Sequence, residues 1–322
     1  MRPIKLVPDN TNVPFLSYRW WAMGLSITLL VASIALVAIR GLNLGVDFSG
    51  GQQFRVAFAQ PAQVDDLRTR VSSLGLGEAS VQQFGDPTKV AIRMHLPDGD
   101  KDATDKAVAT VRNAISAKYP DARFDNVEAV SGKVSAELLR TGALALTLAM
   151  IGIALYIWFR FEWQFGVGAL FTLFHDVVLT FGFFALTQLE FDLNVVAAIL
   201  TIIGYSLNDT IVVYDRIRED LKKWRKMEIE PLLNMSVNET LSRTIVTSLS
   251  LILTLTILLV LGPDVSFGFT AAMLLGIVIG TFSSIYVSAP ILIWLKVGPN
   301  SFVPAAVAGV NERNVKPEGF IK

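Results

Sequence analysis

The apolar residues of this chain fall in long blocks rather than in amphipathic stripes. Blocks of that kind read as membrane-spanning helices, because a helix needs roughly 20 apolar residues to cross the hydrocarbon layer. The first block runs from Trp20 to Ile39 between Arg19 and Arg40, after a proline-bearing lead-in over residues 1–18. It is longer than the apolar core of a secretory signal and no small-residue cleavage pattern follows, so residues 19–40 are expected to stay as a helix. Five more follow at Thr141–Phe159, Gly166–Leu186, Leu193–Tyr214, Thr244–Leu261 and Phe267–Leu295, within a bundle over 135–296. The short loops 187–194 and 262–266 hold no Lys or Arg, whereas Arg216, Arg218, Lys222, Lys223, Arg225 and Lys226 follow the fourth span. Basic loops stay cytoplasmic, which places both termini, including the tail 297–322, inside and residues 41–134 outside.

Within 41–134 the period changes. QQFRVAF alternates and puts Phe54, Val56 and Phe58 on one face of a strand. VDDLRTRVSSLGL carries Val64, Leu67, Val71 and Leu74 on one helical stripe that Gly75 and Gly77 stop. ASVQQF is a short strand, and KVAIRMHL turns Val90, Ile92, Met94 and Leu96 inward with Arg93 and His95 outward. A second helix with Val108, Val111 and Ile115 inward precedes a last strand, ARFDNVEAV. The order β-α-β-β-α-β predicts a small ferredoxin-like α+β domain between the first and second of six transmembrane helices. The segment GLNLGVDFSGG that opens it has glycines suited to tight turns or close backbone approach.

Composition narrows the chemistry. With 52% hydrophobic residues the chain is a polytopic membrane protein, and a net charge of zero gives no general attraction to nucleic acid. There is no cysteine, and His95 and His175 are the sole histidines, so no thiolate nucleophile and no histidine- or cysteine-built metal centre is expected. His95 reads as a solvated strand residue. No phosphate-binding loop or other cofactor motif is visible, so no cofactor is expected and nothing supports an enzyme.

What does stand out is a carboxylate inside an apolar run. Asn208 and Asp209 interrupt VVAAILTIIGYSLNDTIVVY, and Asp209 lies roughly 9 Å inside the level of Asp215 at helical rise. An acid at that depth needs a partner or a proton, as an ion or proton site or as polar glue between helices. Tyr205 and Ser206 precede it on roughly the same face. On the fifth span Arg243, Thr247, Ser250 and Thr254 recur at helical spacing, and Arg243 enters near the depth of Asp209, so the two are expected to face each other. Burial favours the neutral carboxyl and a guanidinium the charged one, so moving Arg243 would switch its protonation; a static ion pair is the alternative. His175 and Asp176 in the third span form a second polar site, as packing groups or relay partners. In the sixth span Gly268, Ala272, Gly276, Gly280, Ser284 and Ser288 leave room for a closely packed helix from this chain or another.

GLNLGVDFSGG, HDV in the third span, and GYSLNDTIVVYDRIRE followed by NETLSRT resemble the SecF family of protein-export membrane proteins, over about residues 20–295. Gly45, Asp47, Phe48, Gly50 and Gly51 carry the first motif. The resemblance implies an inner-membrane partner of SecD in a pseudo-symmetric assembly of the resistance-nodulation-division type. That assembly acts beside the SecYEG channel and the SecA ATPase, often with YajC, and uses the proton-motive force to promote translocation and release of unfolded preproteins. It implies that Asp209 and Arg243 take part in proton transport. The chain's own features leave open half of a small-molecule or lipid exporter, a structural scaffold of the translocon, and sodium as the coupling ion.

Overall fold

The structure, a computed structural model, describes residues 7–8, 11–76, 79–84, 86–94 and 101–298. His95, Leu96, Gly77 and the end of the tail lie outside them. A short 3₁₀ turn, Phe15–Tyr18, leads into α1 (Arg19–Arg40), and a single-turn helix α2 (Val46–Ser49) precedes the external domain. That domain comprises β1 (Gly51–Ala57), α3 (Val64–Ser72), β2 (Ala79–Phe84), β3 (Asp86–Met94), α4 (Lys101–Ser116) and β4 (Arg123–Val130). The bundle continues with α5 (Gly132–Arg160), α6 (Trp163–Thr187), α7 (Leu193–Lys223), α8 (Ile229–Leu261), α9 (Phe267–Tyr286) and α10 (Ser288–Trp294). Among the described residues six helical segments are long and apolar enough to cross a membrane.

The four strands pair antiparallel in the order β2-β3-β1-β4, the split β-α-β arrangement expected from the alternating pattern. One sheet face carries Phe54, Val56, Val81, Val90, Ile92 and Met94 against Leu67 and Val71 of α3 and Val111 and Ile115 of α4. The opposite face is not solvated as a free sheet would be. Gln53 and Arg55 are buried, and with Arg93 they meet the loop between α6 and α7.

Several helices outrun their apolar cores. α7 continues past Tyr214 to Lys223, and α8 starts at Ile229, well ahead of Thr244, so residues 224–228 alone connect them. Hydrocarbon thickness sets the apolar run, but paired charges let a helix continue into water. Here Asp215 pairs with Arg160, Arg216 with Glu239, and Arg218 with Glu162. Most of the basic residues read as a loop therefore stand on α7.

Two helix pairs run parallel at close range. A Cβ on Gly276 would lie 2.5 Å from Ile202, and one on Gly280 would lie 3.3 Å from Ser206. Gly268 similarly faces Val195. The small-residue stripe of α9 thus packs along α7 of the same chain. Across the bundle, a Cβ on Gly182 of α6 would overlap Ser33 of α1.

Candidate functional site

Asp209 sits on α7 where α8 and α9 converge, and it is 6% exposed. Its Oδ1 accepts a hydrogen bond from Thr244 Oγ1 of α8 at 2.8 Å, and its Oδ2 accepts one from Ser284 Oγ of α9 at 2.7 Å. Ser284 belongs to the stripe of small residues, and the close approach of α7 and α9 brings its hydroxyl to the carboxylate. Ser288 stands one turn on and donates to the Ser284 carbonyl. Two hydroxyls stabilise a carboxylate less than a guanidinium does and serve a protonated carboxyl equally well as acceptors.

The expected pairing of Asp209 with Arg243 does not occur in this structure. Arg243 is exposed, and no ion pair joins it to Asp209 among the described residues. Neighbouring residues on a helix point about 100° apart. Thr244 takes the face toward α7, so Arg243, Thr247, Ser250 and Thr254 lie on the outer face of α8. The hydroxyls of that stripe bond backward into their own helix, Thr247 to the Arg243 carbonyl, Ser250 to Val246 and Thr254 to Ser250. Asn208 is also exposed and points away from the Asp209 site.

Two further polar layers adjoin the carboxylate. Tyr205 shares a hydrogen bond with Ser248 at 3.0 Å, and Ser248 another with Thr281 at 2.7 Å. Ser206 donates to Asp176 Oδ2 at 2.5 Å, where Ser283 also donates at 2.9 Å. The other Asp176 oxygen meets His175 Nδ1 at 2.9 Å, and both residues are 1% exposed. His175 and Asp176 therefore bind each other and α7 and α9, rather than Asp209. Thr244, Ser248, Ser283 and Ser284 escaped the sequence reading as partners. The signal for Ser284 was its place in the small stripe of α9, the helix that packs along α7.

The glycine-rich motif after α1 packs at the N-terminal end of α7. Gly50 and Gly51 have φ of 70° and 106°, which only glycine adopts without strain. Gly45 leaves no room for a side chain, since a Cβ would lie 2.9 Å from Glu190 Oε1. Asp47 Oδ2 accepts from the Leu193 backbone N–H at 3.0 Å, and Asp192 Oδ1 from Val195 at 2.9 Å. Both carboxylates thus cap the N-terminus of α7, where the helix dipole favours them. Phe48 is buried against Phe191. Burial pushes the Asp192 carboxyl above its ordinary range, with Glu190 and Asp47 adding to the rise against the Val195 hydrogen bond. Burial also raises Glu128, opposed by Arg55.

Glu190 is the centre of this junction. Its Oε2 accepts from Gln53 Nε2 at 2.9 Å and lies 3.3 Å from Arg93 Nη2 and 3.8 Å from Arg55 Nη2. Arg93 in turn donates to Asn43 Oδ1 and to the Leu44 carbonyl. The external sheet, the segment leaving α1 and the loop entering α7 are thereby bound together.

Comparison with known proteins identifies the family. The family described as "Protein export membrane protein SecD/SecF, C-terminal" matches residues 110–298, and "SecD/SecF GG Motif" matches residues 35–62. The protein translocase subunit SecF of Cereibacter sphaeroides is 41% identical over 97% of this chain and 98% of its own. That of Desulfurispirillum indicum is 40% identical over 88% of this chain and 91% of its own. The crystal structure of SecDF, a translocon-associated membrane protein from Thermus thermophilus, superposes with a TM-score of 0.83 at 32% identity, covering 91% of this chain and 40% of that longer one. A SecDF structure in a super-membrane-facing form gives 0.66 at the same identity. The chain belongs to the SecD/SecF family of protein-export membrane proteins, on its SecF side.

Proposed function

We propose that this chain is an inner-membrane subunit that pairs with SecD and draws on the proton-motive force to promote preprotein translocation and release. In this reading both termini are cytoplasmic, residues 41–134 are periplasmic, and SecYEG, SecA and YajC are neighbours. The observation that carries it is the environment of Asp209, a membrane-embedded carboxylate held by two hydroxyls with no ion pair among the described residues. A proton can enter or leave such a group without breaking an ion pair. Arg243 stands one residue from Thr244 on the face of α8 that a SecD helix would cover. A turn of α8 about its axis would exchange the hydroxyl for the guanidinium and expel the proton. The longer SecDF relative supports a separate SecD as the missing part.

The test is preprotein release in vesicles containing the assembled complex, with and without an imposed proton gradient. Asp209→Asn keeps size and hydrogen bonding but cannot titrate. It should assemble normally and lose gradient stimulation while SecA-driven early translocation continues. Full stimulation in this variant refutes proton transfer through Asp209. Substituting a sodium gradient in the same vesicles tells the coupling ion.

A further inference from the structure

The second buried acid site has a feature that packing does not explain. His175 Nδ1 is bound to Asp176, yet its Nε2 is buried and makes no hydrogen bond among the described residues. On α1, Ser26 is 3% exposed and its Oγ is equally without a protein partner. The register of the two helices puts these atoms at one level. α1 and α6 run in the same direction, with Arg40 donating to the Leu186 carbonyl at 2.9 Å and Ser33 against Gly182. Seven residues before that last contact on each helix, about two turns, stand Ser26 and His175. Neither tautomer of His175, nor its protonated form, satisfies Nε2 from the protein alone. Two aligned, buried and unpartnered polar atoms are the setting in which an internal water is retained.

We propose that a water bridging Ser26 and His175 makes the His175–Asp176 pair a second proton-exchanging site, reached from the α1–α6 seam. The proposal rests on the proton-driven reading above and extends it. A proton arriving at the water from the seam is relayed on to Nε2, so the water keeps two protons, and the proton on Nδ1 passes to Asp176 Oδ1. The imidazole ends neutral in its other tautomer and the carboxyl ends neutral, so no net charge is left on the imidazole. Ser206 and Ser283 remain donors to Oδ2 in both states. The groups facing the pair from α7 and α9 are those two hydroxyls, and α1 presents Ser26. Asp209 is on α7 three residues from Ser206, and its two oxygens are bound by Thr244 and Ser284 rather than by the pair.

The experiment uses the full complex with SecD in membranes. The chain has two histidines, so ¹⁵N-histidine labelling of this subunit alone, combined with unlabelled SecD, leaves one imidazole to observe in His95→Asn. A water-to-Nε2 cross-peak at His175 is expected, and Ser26→Ala should weaken it while the Nδ1 contact to Asp176 persists. In the same vesicles Asp176→Asn should cut gradient-driven proton uptake by about tenfold or more. A dry His175 overturns the proposal, as does normal uptake in Asp176→Asn beside a blocked Asp209→Asn control. Normal uptake in both variants overturns the proton-driven reading as well.

Discussion

Replacing Gly276 by alanine sets two opposed terms against each other. Alanine in a helix interior is favoured over glycine by about 1 kcal/mol. The added Cβ, however, would lie 2.5 Å from Cδ1 and Cγ1 of Ile202 and 2.8 Å from Cγ2, roughly 1 Å inside ordinary carbon contact. Ile202 is 1% exposed and β-branched, with one preferred rotamer in a helix, so it cannot swing aside. Overpacking of this kind costs about 1–3 kcal/mol. The clash should at least cancel the gain, leaving Gly276→Ala less stable than the parent by up to about 2 kcal/mol. Gly204→Ala is the control, because nothing lies within 4 Å of a Cβ there and the propensity term acts alone. The propensity term is common to both variants, so they should differ by the clash alone, about 1–3 kcal/mol, in a denaturant titration of the purified protein. Ile202→Ala added to Gly276→Ala should recover part of the loss. Equal stability of the two alanine variants would refute the close α7–α9 packing on which the Ser284–Asp209 contact depends.

Other consequences are open to measurement. Asp192 has a raised folded value, so its ionised form is disfavoured by folding. Its contribution to stability should rise as pH falls from the raised value toward the ordinary carboxylate range near about 4. Asp192→Asn keeps the cap and should flatten that part of the melting-temperature profile. Glu190→Arg, which places a like charge against Arg93 and Arg55, should loosen the external domain and speed hydrogen exchange at Asn43–Asp47; Arg93→Glu in that background should restore part of the protection. Single cysteines at Ser72 or Gln83 should react with an impermeant reagent from outside intact cells, and one at Lys223 only after the membrane is opened. Outside labelling of the Lys223 position would overturn the orientation.

The spans, the sheet and its core face could be read from the sequence because burial in lipid or in a sheet imposes long apolar runs or a period of two. The partner of Asp209 could not. Arg243, Thr247, Ser250 and Thr254 form a polar stripe, but Ser and Thr satisfy themselves on a helix by bonding the carbonyl one turn back. Such a stripe says little about which face is inward, and Thr244, one residue round, takes the inner position. The far ends of α7 and α8 were missed because ion pairs such as Arg216–Glu239 carry the helix beyond the apolar run. The Glu190 junction gathers Asn43, Gln53, Arg93 and Glu190 from distant parts of the chain, and no local pattern announces it.

That junction also bears on the order in which the protein is made. The external domain has its own hydrophobic core, whose side chains are all synthesised before the second membrane helix begins. Glu190 emerges two membrane helices later. During that interval Gln53, Arg55 and Arg93 face water, which solvates them without cost, and the sheet can close around its apolar side alone. Docking onto the membrane half becomes a separate, later event, triggered when the loop before α7 arrives with its carboxylates. The helix bearing Asp209 then starts with its own cap, Asp192, and gains the second one, Asp47, only when that docking is complete.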